Sequence, residues 1–267
     1  MSPIATDHKR LAALLRIATE AARAGGDILL ARYGQNHDIV HKGQVNLVTE
    51  ADLASEQAVC SLLREKTPDI AIMSEEQSAS HELARHQSLW LVDPLDGTTS
   101  FTHGFPFFAV SIALLQEGRP LVGVVYAPFL NELFTAARGG GAALNGRAIQ
   151  VTANASLIAA LVATGFPYER EHGLPGIVQR LGRVLTQVQD IRRGGSAAMD
   201  LAYVACGRLD AYYEVQLSPW DSAAGWLLVL EAGGRVTGMN GAAYSPFIPH
   251  ILASNGHLHE ALLPLMA

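Results

Sequence analysis

Four acidic residues, Glu75, Asp93, Asp96 and Asp221, stand where the chain is expected to turn, and together they have the chemistry of a metal site. The apolar strand Trp90-Leu91-Val92 delivers Asp93, Pro94 blocks further ladder pairing, and Gly97 tolerates the positive φ of a tight reversal, so Asp93 and Asp96 can face one pocket. Such a turn also frees the Leu95 carbonyl to point the same way. It leaves the N–H groups of Gly97 and Thr98 able to meet an anion, especially if a helix starts there. Glu75 lies in Ser74-Glu75-Glu76 at the end of a predicted strand, and Asp221 in Trp220-Asp221-Ser222-Ala223-Ala224-Gly225 at the start of an apolar helix. Each has an ordinary explanation by itself: a turn, a solvated acidic loop, a helix N-cap. If the four converge, each pair about 4 Å apart repels by roughly 4 kcal/mol at an effective dielectric near 20, and bound cations must offset that. The donors are all oxygens, and none of the ten histidines or two cysteines falls in a zinc-like spacing, which favours Mg²⁺ or Mn²⁺.

The elements that must position these residues follow from periodicity. Apolar or small residues recur at Leu11, Leu14, Leu15, Ala18, Ala21, Ala22, Gly25, Ile28 and Leu29, predicting a helix from Lys9 to about Tyr33 that Gly34 closes. A short strand over Val45–Val48 precedes a helix over Thr49–Glu65, with Thr49 and Asp52 spaced as a capping box. A strand over Asp69–Met73 then runs into Glu75. From Leu89 to Gln150, the apolar runs Leu89–Val92, Phe107–Leu115, Leu121–Tyr126 and Leu133–Ala136 alternate with turns such as Glu117-Gly118 and Asn145-Gly146, which suits an antiparallel sheet. The Gly139–Gly146 stretch lacks the Lys-Ser/Thr of a phosphate loop and is predicted to be a hairpin. Beyond about Ala153 strands and helices alternate: Leu157–Thr164, a helix near Leu174–Val188, another over Ser196–Cys206, Ala211–Val215, a helix over Ala223–Glu231, and Ile251–Ser254. The expectation is an α+β lobe over residues 1–153 carrying most of the metal ligands and an α/β lobe over 154–267 completing the substrate site, with the site at their interface.

Composition excludes several function classes. Of 267 residues 49% are apolar, enough for a sizeable core, and a net charge of −6 with scattered basic residues offers no field for nucleic acid. Cys60 and Cys206 sit in apolar helical stretches and read as small core residues of a reducing compartment. Met1–Arg10 lacks the apolar core of a signal peptide, and the run Phe105–Leu115 is too short to span a bilayer, so a soluble, cytoplasmic protein is expected. His257 and His259 are expected to be surface tail residues.

Asp93-Pro94-Leu95-Asp96-Gly97-Thr98 and Trp220-Asp221-Ser222-Ala223-Ala224-Gly225 closely resemble the two signature motifs of the inositol monophosphatase family, a family of Mg²⁺-dependent, lithium-sensitive phosphatases. Further matches fall in order: Val48-Thr49-Glu50-Ala51-Asp52, Ser74-Glu75-Glu76, Gly139–Gly146, Gly195-Ser196-Ala197-Ala198 and Asp210-Ala211-Tyr212-Tyr213-Glu214. The resemblance implies a two-lobed α-β-α-β-α layered sandwich, α+β in its first half and α/β in its second. It also implies two or three Mg²⁺ ions, with Mn²⁺ able to substitute, at Glu75, Asp93, the Leu95 carbonyl, Asp96 and Asp221, and a homodimer.

The reaction so implied is hydrolysis of a small phosphate monoester by metal-activated water, with Glu75 and Thr98 orienting and deprotonating the water and Asp96 completing the catalytic set. Substrate contacts are expected from Glu75, Leu95, Asp96, Gly97, Thr98, Gly195, Ser196, Ala197, Glu214 and Asp221, with Glu214 and Asp221 accepting hydrogen bonds from substrate hydroxyls. Glu214 could equally be an exposed strand-end acid. Arg192 and Arg193 are expected to serve a dimer interface or to cover carbonyls near a helix end. Inositol 1-phosphate is the leading substrate. Histidinol phosphate, fructose 1,6-bisphosphate, 3′-phosphoadenosine nucleotides or a non-catalytic regulatory role on the same fold are the alternatives. Asn46 stands where the family commonly has aspartate, which puts the third metal in doubt.

Overall fold

The structure, a computed structural model, describes residues 7–35, 39–41, 47–77, 87–167 and 173–267, with backbone alone at 39–41 and 47. Asn46 therefore lies outside the described residues, as do Val45 and the start of its predicted strand.

Helix α1 (His8–Arg32) opens on Asp7, whose carboxylate accepts from the Lys9 and Arg10 N–H groups, and buries Leu11, Leu14, Ala18, Ala21, Ala22, Gly25 and Leu29 on one stripe. A two-stranded ribbon, β1 (Ile39–His41) with β2 (Leu47–Thr49), leads into α2 (Glu50–Lys66). The capping box forms as the sequence predicts: Asp52 Oδ2 accepts from the Thr49 N–H at 2.8 Å and from its hydroxyl at 2.5 Å.

A seven-stranded sheet follows, built in chain order from β3 (Ala71–Ser74), β4 (Ser88–Asp96), β5 (Ala109–Gln116), β6 (Arg119–Ala127), β7 (Glu132–Ala137), β8 (Ala142–Leu144) and β9 (Arg147–Ala148). It is antiparallel, as predicted, except that β3 pairs with β4 in parallel. The β7–β8–β9 turns confirm the hairpin over Gly139–Gly146. Both faces are covered, which is why β4 reads as a continuous apolar run. Trp90 and Val92 pack with α1 and α2, whereas Leu89 and Leu91 pack with the helices of the opposite face. A short helix α3 (Thr98–Thr102) leaves the end of β4.

The second sheet has order β11-β10-β12-β14-β13, from β10 (Leu161–Thr164), β11 (Asp190–Arg192), β12 (Ala211–Val215), β13 (Arg235–Thr237) and β14 (His250–Ser254). Helices α5 (Ala197–Ala205) and α6 (Pro219–Glu231) lie between the two sheets, while α4 (Leu174–Leu185) and α7 (His259–Leu262) cover the outer face. On β12 the alternation is plain: Tyr212 joins the core between the sheets, and Ala211 and Tyr213 join the outer one. The layers are thus α-β-α-β-α.

Three local expectations are corrected. The run Leu157–Thr164 is not one strand: a 3₁₀ turn over Leu157–Ala159 precedes β10. The strands β11 and β13 are absent from the prediction because both are three-residue sheet edges, too short and polar to show a period. His259 is not a surface tail residue. It is fully buried, its Nε2 2.9 Å from Thr237 Oγ1 and its Nδ1 2.8 Å from Ser254 Oγ, whereas His257 is exposed. Cys60 is buried and Cys206 half-buried, both as free thiols.

Candidate active site

A cavity of about 140 Å³ opens between the end of β4, the N-termini of α5 and α6, and the end of β12. Its wall carries Glu75, Asp93, Leu95, Asp96, Gly97, Thr98, Gly195, Ser196, Ala197, Glu214 and Asp221, so every residue expected to contact metal or substrate comes to one place.

The β4 turn is shaped by its own polar groups. Asp93 Oδ1 accepts from the Leu95 N–H at 3.0 Å, the β4–β5 register shifts between Asp93 and Asp96, and Gly97 follows with φ +95°. A Cβ at Gly97 would stand 2.9 Å from the Phe107 carbonyl oxygen and 3.2 Å from that of Gly195, so both the left-handed φ and the close approach of two backbones require glycine. The Thr98 hydroxyl donates toward Asp52 Oδ1 at 3.0 Å and the Leu95 carbonyl at 3.1 Å. Asp52 was missed as a site residue: its spacing to Thr49 explained it fully as a cap, and its partner Thr98 lies 46 positions away.

From the other side, α5 aims its N-terminus at Asp96, whose Oδ2 accepts from the Ser196 hydroxyl at 2.6 Å and the Ala198 N–H at 2.7 Å. Ser196 thus spends its proton on Asp96, not outward, and caps α5 through its oxygen, which accepts the Met199 N–H at 3.3 Å. Asp221 is the third residue of α6, three places past the N-cap Ser218 and not the N-cap itself: Pro219 opens the helix and Asp221 Oδ2 accepts from the Ser218 N–H at 2.7 Å. Glu214 at the end of β12 is partly buried and accepts from the Tyr212 hydroxyl, so it is no exposed strand-end acid.

Electrostatics follow from this crowding. Burial first, and then the charges of Glu75, Asp96 and Asp221, hold the Asp93 carboxyl well above the usual carboxylate range. Asp221 is raised likewise by burial and by Asp96 and Glu75. Burial lifts Asp96 to about 6 against the opposing Ser196, Ala198 and Ala197 hydrogen bonds and the Arg193 charge, and lifts Glu214 to about 7. Arg193, which sequence alone assigned to an interface or a helix end, lines the cavity with its guanidinium over the Phe166 ring. Arg192 instead pairs with Asp190 at a sheet edge and donates to the Ile191 carbonyl.

The match to the description "Inositol monophosphatase family" extends over residues 10–267. The chain belongs to the inositol monophosphatase family. It is a phosphoric monoester hydrolase of that type. Inositol monophosphatase 2 of Solanum lycopersicum is 43% identical over 253 residues, covering 92% of this chain and 95% of that protein. Nus factor SuhB of Salmonella typhimurium is 42% identical over 256 residues, covering 95% of each. The crystal structure of extragenic suppressor protein SuhB from Bartonella henselae superposes with a TM-score of 0.90 at 40% identity, over 95% of this chain and 98% of that one. The family is metal-dependent as a rule, and its members act on small phosphate monoesters. Among the described residues no helix is long and apolar enough to cross a membrane.

Proposed function

We propose that the protein hydrolyses inositol 1-phosphate to myo-inositol and phosphate with Mg²⁺ bound at Glu75, Asp93, the Leu95 carbonyl, Asp96 and Asp221. The observation that carries this reading is the shared cavity wall, on which the residues bearing these oxygens sit together with Thr98, backed by its hydrogen bond to Asp52, and Glu214.

The donor set fits a hard cation. Burial, and then the charges of Glu75 and Asp96, destabilise both Asp93 and Asp221 as anions, and Arg193 is the one basic side chain among the described residues of the wall. No three His, Cys, Asp or Glu side chains among the described residues gather tightly enough around one point to hold an ion by themselves. Carboxylates spread along a wall, with a backbone carbonyl among them, suit Mg²⁺, which is held by one or two carboxylates and keeps waters or substrate phosphate for its other positions. When bound, Mg²⁺ supplies a water of lowered pKa and neutralises charge on the phosphoryl and leaving oxygens.

The chain's own residues support the rest. Thr98 gives its proton toward Asp52, which leaves the hydroxyl oxygen as an acceptor for a proton of the attacking water, and Asp52 Oδ1 as the next acceptor. The carboxylate that Thr98 reaches is thus Asp52, outside the proposed metal set. Glu214, across the cavity, is the acceptor for a ring hydroxyl.

A panel assay in Mg²⁺ over inositol 1-phosphate, histidinol phosphate, fructose 1,6-bisphosphate and a 3′-phosphoadenosine nucleotide tests the reading. The highest kcat/KM is expected on inositol 1-phosphate, with loss of turnover on chelation and inhibition by Li⁺. A clear preference for another substrate overturns the substrate. Absence of Mg²⁺-dependent phosphate release from any of them favours the regulatory role to which the name of the SuhB relatives points.

A further inference from the structure

Tyr212 and Glu214 are two residues apart on β12 and so project from the same face of the sheet. Tyr212 is fully buried, and its hydroxyl donates to Glu214 Oε2, whereas Oε1 accepts from no described residue; Glu214 itself lines the cavity. The parallel neighbour β10 pairs Thr164 with Tyr213, so the chain leaving β10 at Gly165 runs beside Glu214. A Cβ on Gly165 would stand 1.9 Å from Glu214 Oε2, 2.1 Å from its Cδ and 2.2 Å from its Oε1. The carboxylate therefore occupies the volume that any other residue at 165 would fill. Gly165 does not have a positive φ, so the backbone makes no demand for glycine there; the demand comes from the acid alone.

We propose that Gly165 and Tyr212 are positioning residues for Glu214 and that they set the enzyme's preference for phosphate esters of polyols. Gly165 vacates the space for the carboxylate, and Tyr212 ties one of its oxygens so that the other faces the substrate's hydroxyls. The proposal rests on Glu214 being the hydroxyl acceptor. Displacing the far end of a flexible side chain costs the fold little, so a methyl group at 165 moves the acid and leaves the rest of the wall in place.

The experiment compares kcat/KM on inositol 1-phosphate with that on phenyl phosphate, whose leaving group has no other hydroxyl, in the parent enzyme and in Gly165→Ala, Tyr212→Phe, Glu214→Ala and the Gly165→Ala/Glu214→Ala double variant. In Gly165→Ala the value for inositol 1-phosphate is expected to fall by about tenfold or more, mainly through KM, as for loss of a charged hydrogen bond, with phenyl phosphate changed by less than about twofold. Tyr212→Phe should lose activity selectively in the same direction, and it carries the test if Gly165→Ala does not fold. With Glu214 already truncated, Gly165→Ala should change the ratio no further. Equal loss on both substrates, an unchanged ratio, or a further fall in the double variant overturns the positioning role. A parent enzyme with no preference for the polyol ester overturns the reading of Glu214 and this proposal with it. A parent preference that Gly165→Ala retains overturns the positioning role alone.

Discussion

Asp93 shows at the residue scale how a site can oppose the fold that carries it. It is 2% exposed, lies among three other carboxylates, and is held well above the usual carboxylate range by burial and by their charges. Asp93→Asn keeps an oxygen for the Leu95 N–H bond and removes one negative charge. We expect it to lower Mg²⁺-dependent kcat/KM by at least about a hundredfold. In metal-free buffer its thermal midpoint should match or exceed that of the parent, because repulsion has been relieved. Unchanged turnover in Mg²⁺ would sink the metal assignment, and a collapsed midpoint without metal would show that the charge is structural. Each acid here could be read singly as a cap, turn or loop residue, and those local roles are real: Asp52 and Asp221 do close capping boxes. What spacing does not reveal is that a capping carboxylate has a second oxygen available for another partner, as Asp52 Oδ1 has for Thr98.

At the scale of elements, the site depends on α5 and α6 meeting closely, since α5 brings Ser196 to Asp96 and α6 carries Asp221. The close approach is made with glycines. A Cβ on Gly225 would stand 2.4 Å from the Leu201 Cβ, and one on Gly123 of β6 would stand 2.8 Å from the Ala224 carbonyl oxygen. Neither obstacle is the loose end of a side chain. Gly225→Ala should therefore cost roughly 1–3 kcal/mol by overpacking. It should lower the calorimetric midpoint by several degrees and reduce activity through displacement of Asp221. A midpoint indistinguishable from the parent's would count against this packing account. Long amphipathic or doubly buried elements such as α1, α2 and β4 were readable because their periods repeat over many residues. The edges β11 and β13 and the five-residue α3 were not, because three to five residues do not establish a period.

For the whole molecule, the buried His259 couples stability to pH. Burial and the nearby Arg235 charge lower its pKa to about 4 from the ordinary value near 6.5. The unfolded chain therefore binds a proton at higher pH than the native one. The native state is undisturbed above about 6.5, loses stability as pH falls toward about 4, and loses no more from this group below that. At about 1.4 kcal/mol per pKa unit the full loss is on the order of 3 kcal/mol. Denaturant melts from pH 7.5 to 4.5 should show that loss in the parent and a shallower slope in His259→Gln; equal slopes would remove His259 as the cause. Nothing in the spacing around His259 marks it as buried, since its partners Thr237 and Ser254 come from two strands that only the sheet brings together. The same division holds throughout. Helix stripes, capping boxes, hairpin turns and the cation-seeking character of the acids are written in the chain, because they depend on residue type and on neighbours a few positions away. The ordered signature motifs named the family for the same reason. The pairing of Asp52 with Thr98, the seat of Glu214 against Gly165 and the burial of His259 were decided by the folded chain alone, because each joins residues 22 to 49 positions apart whose meeting depends on strand register and layer packing.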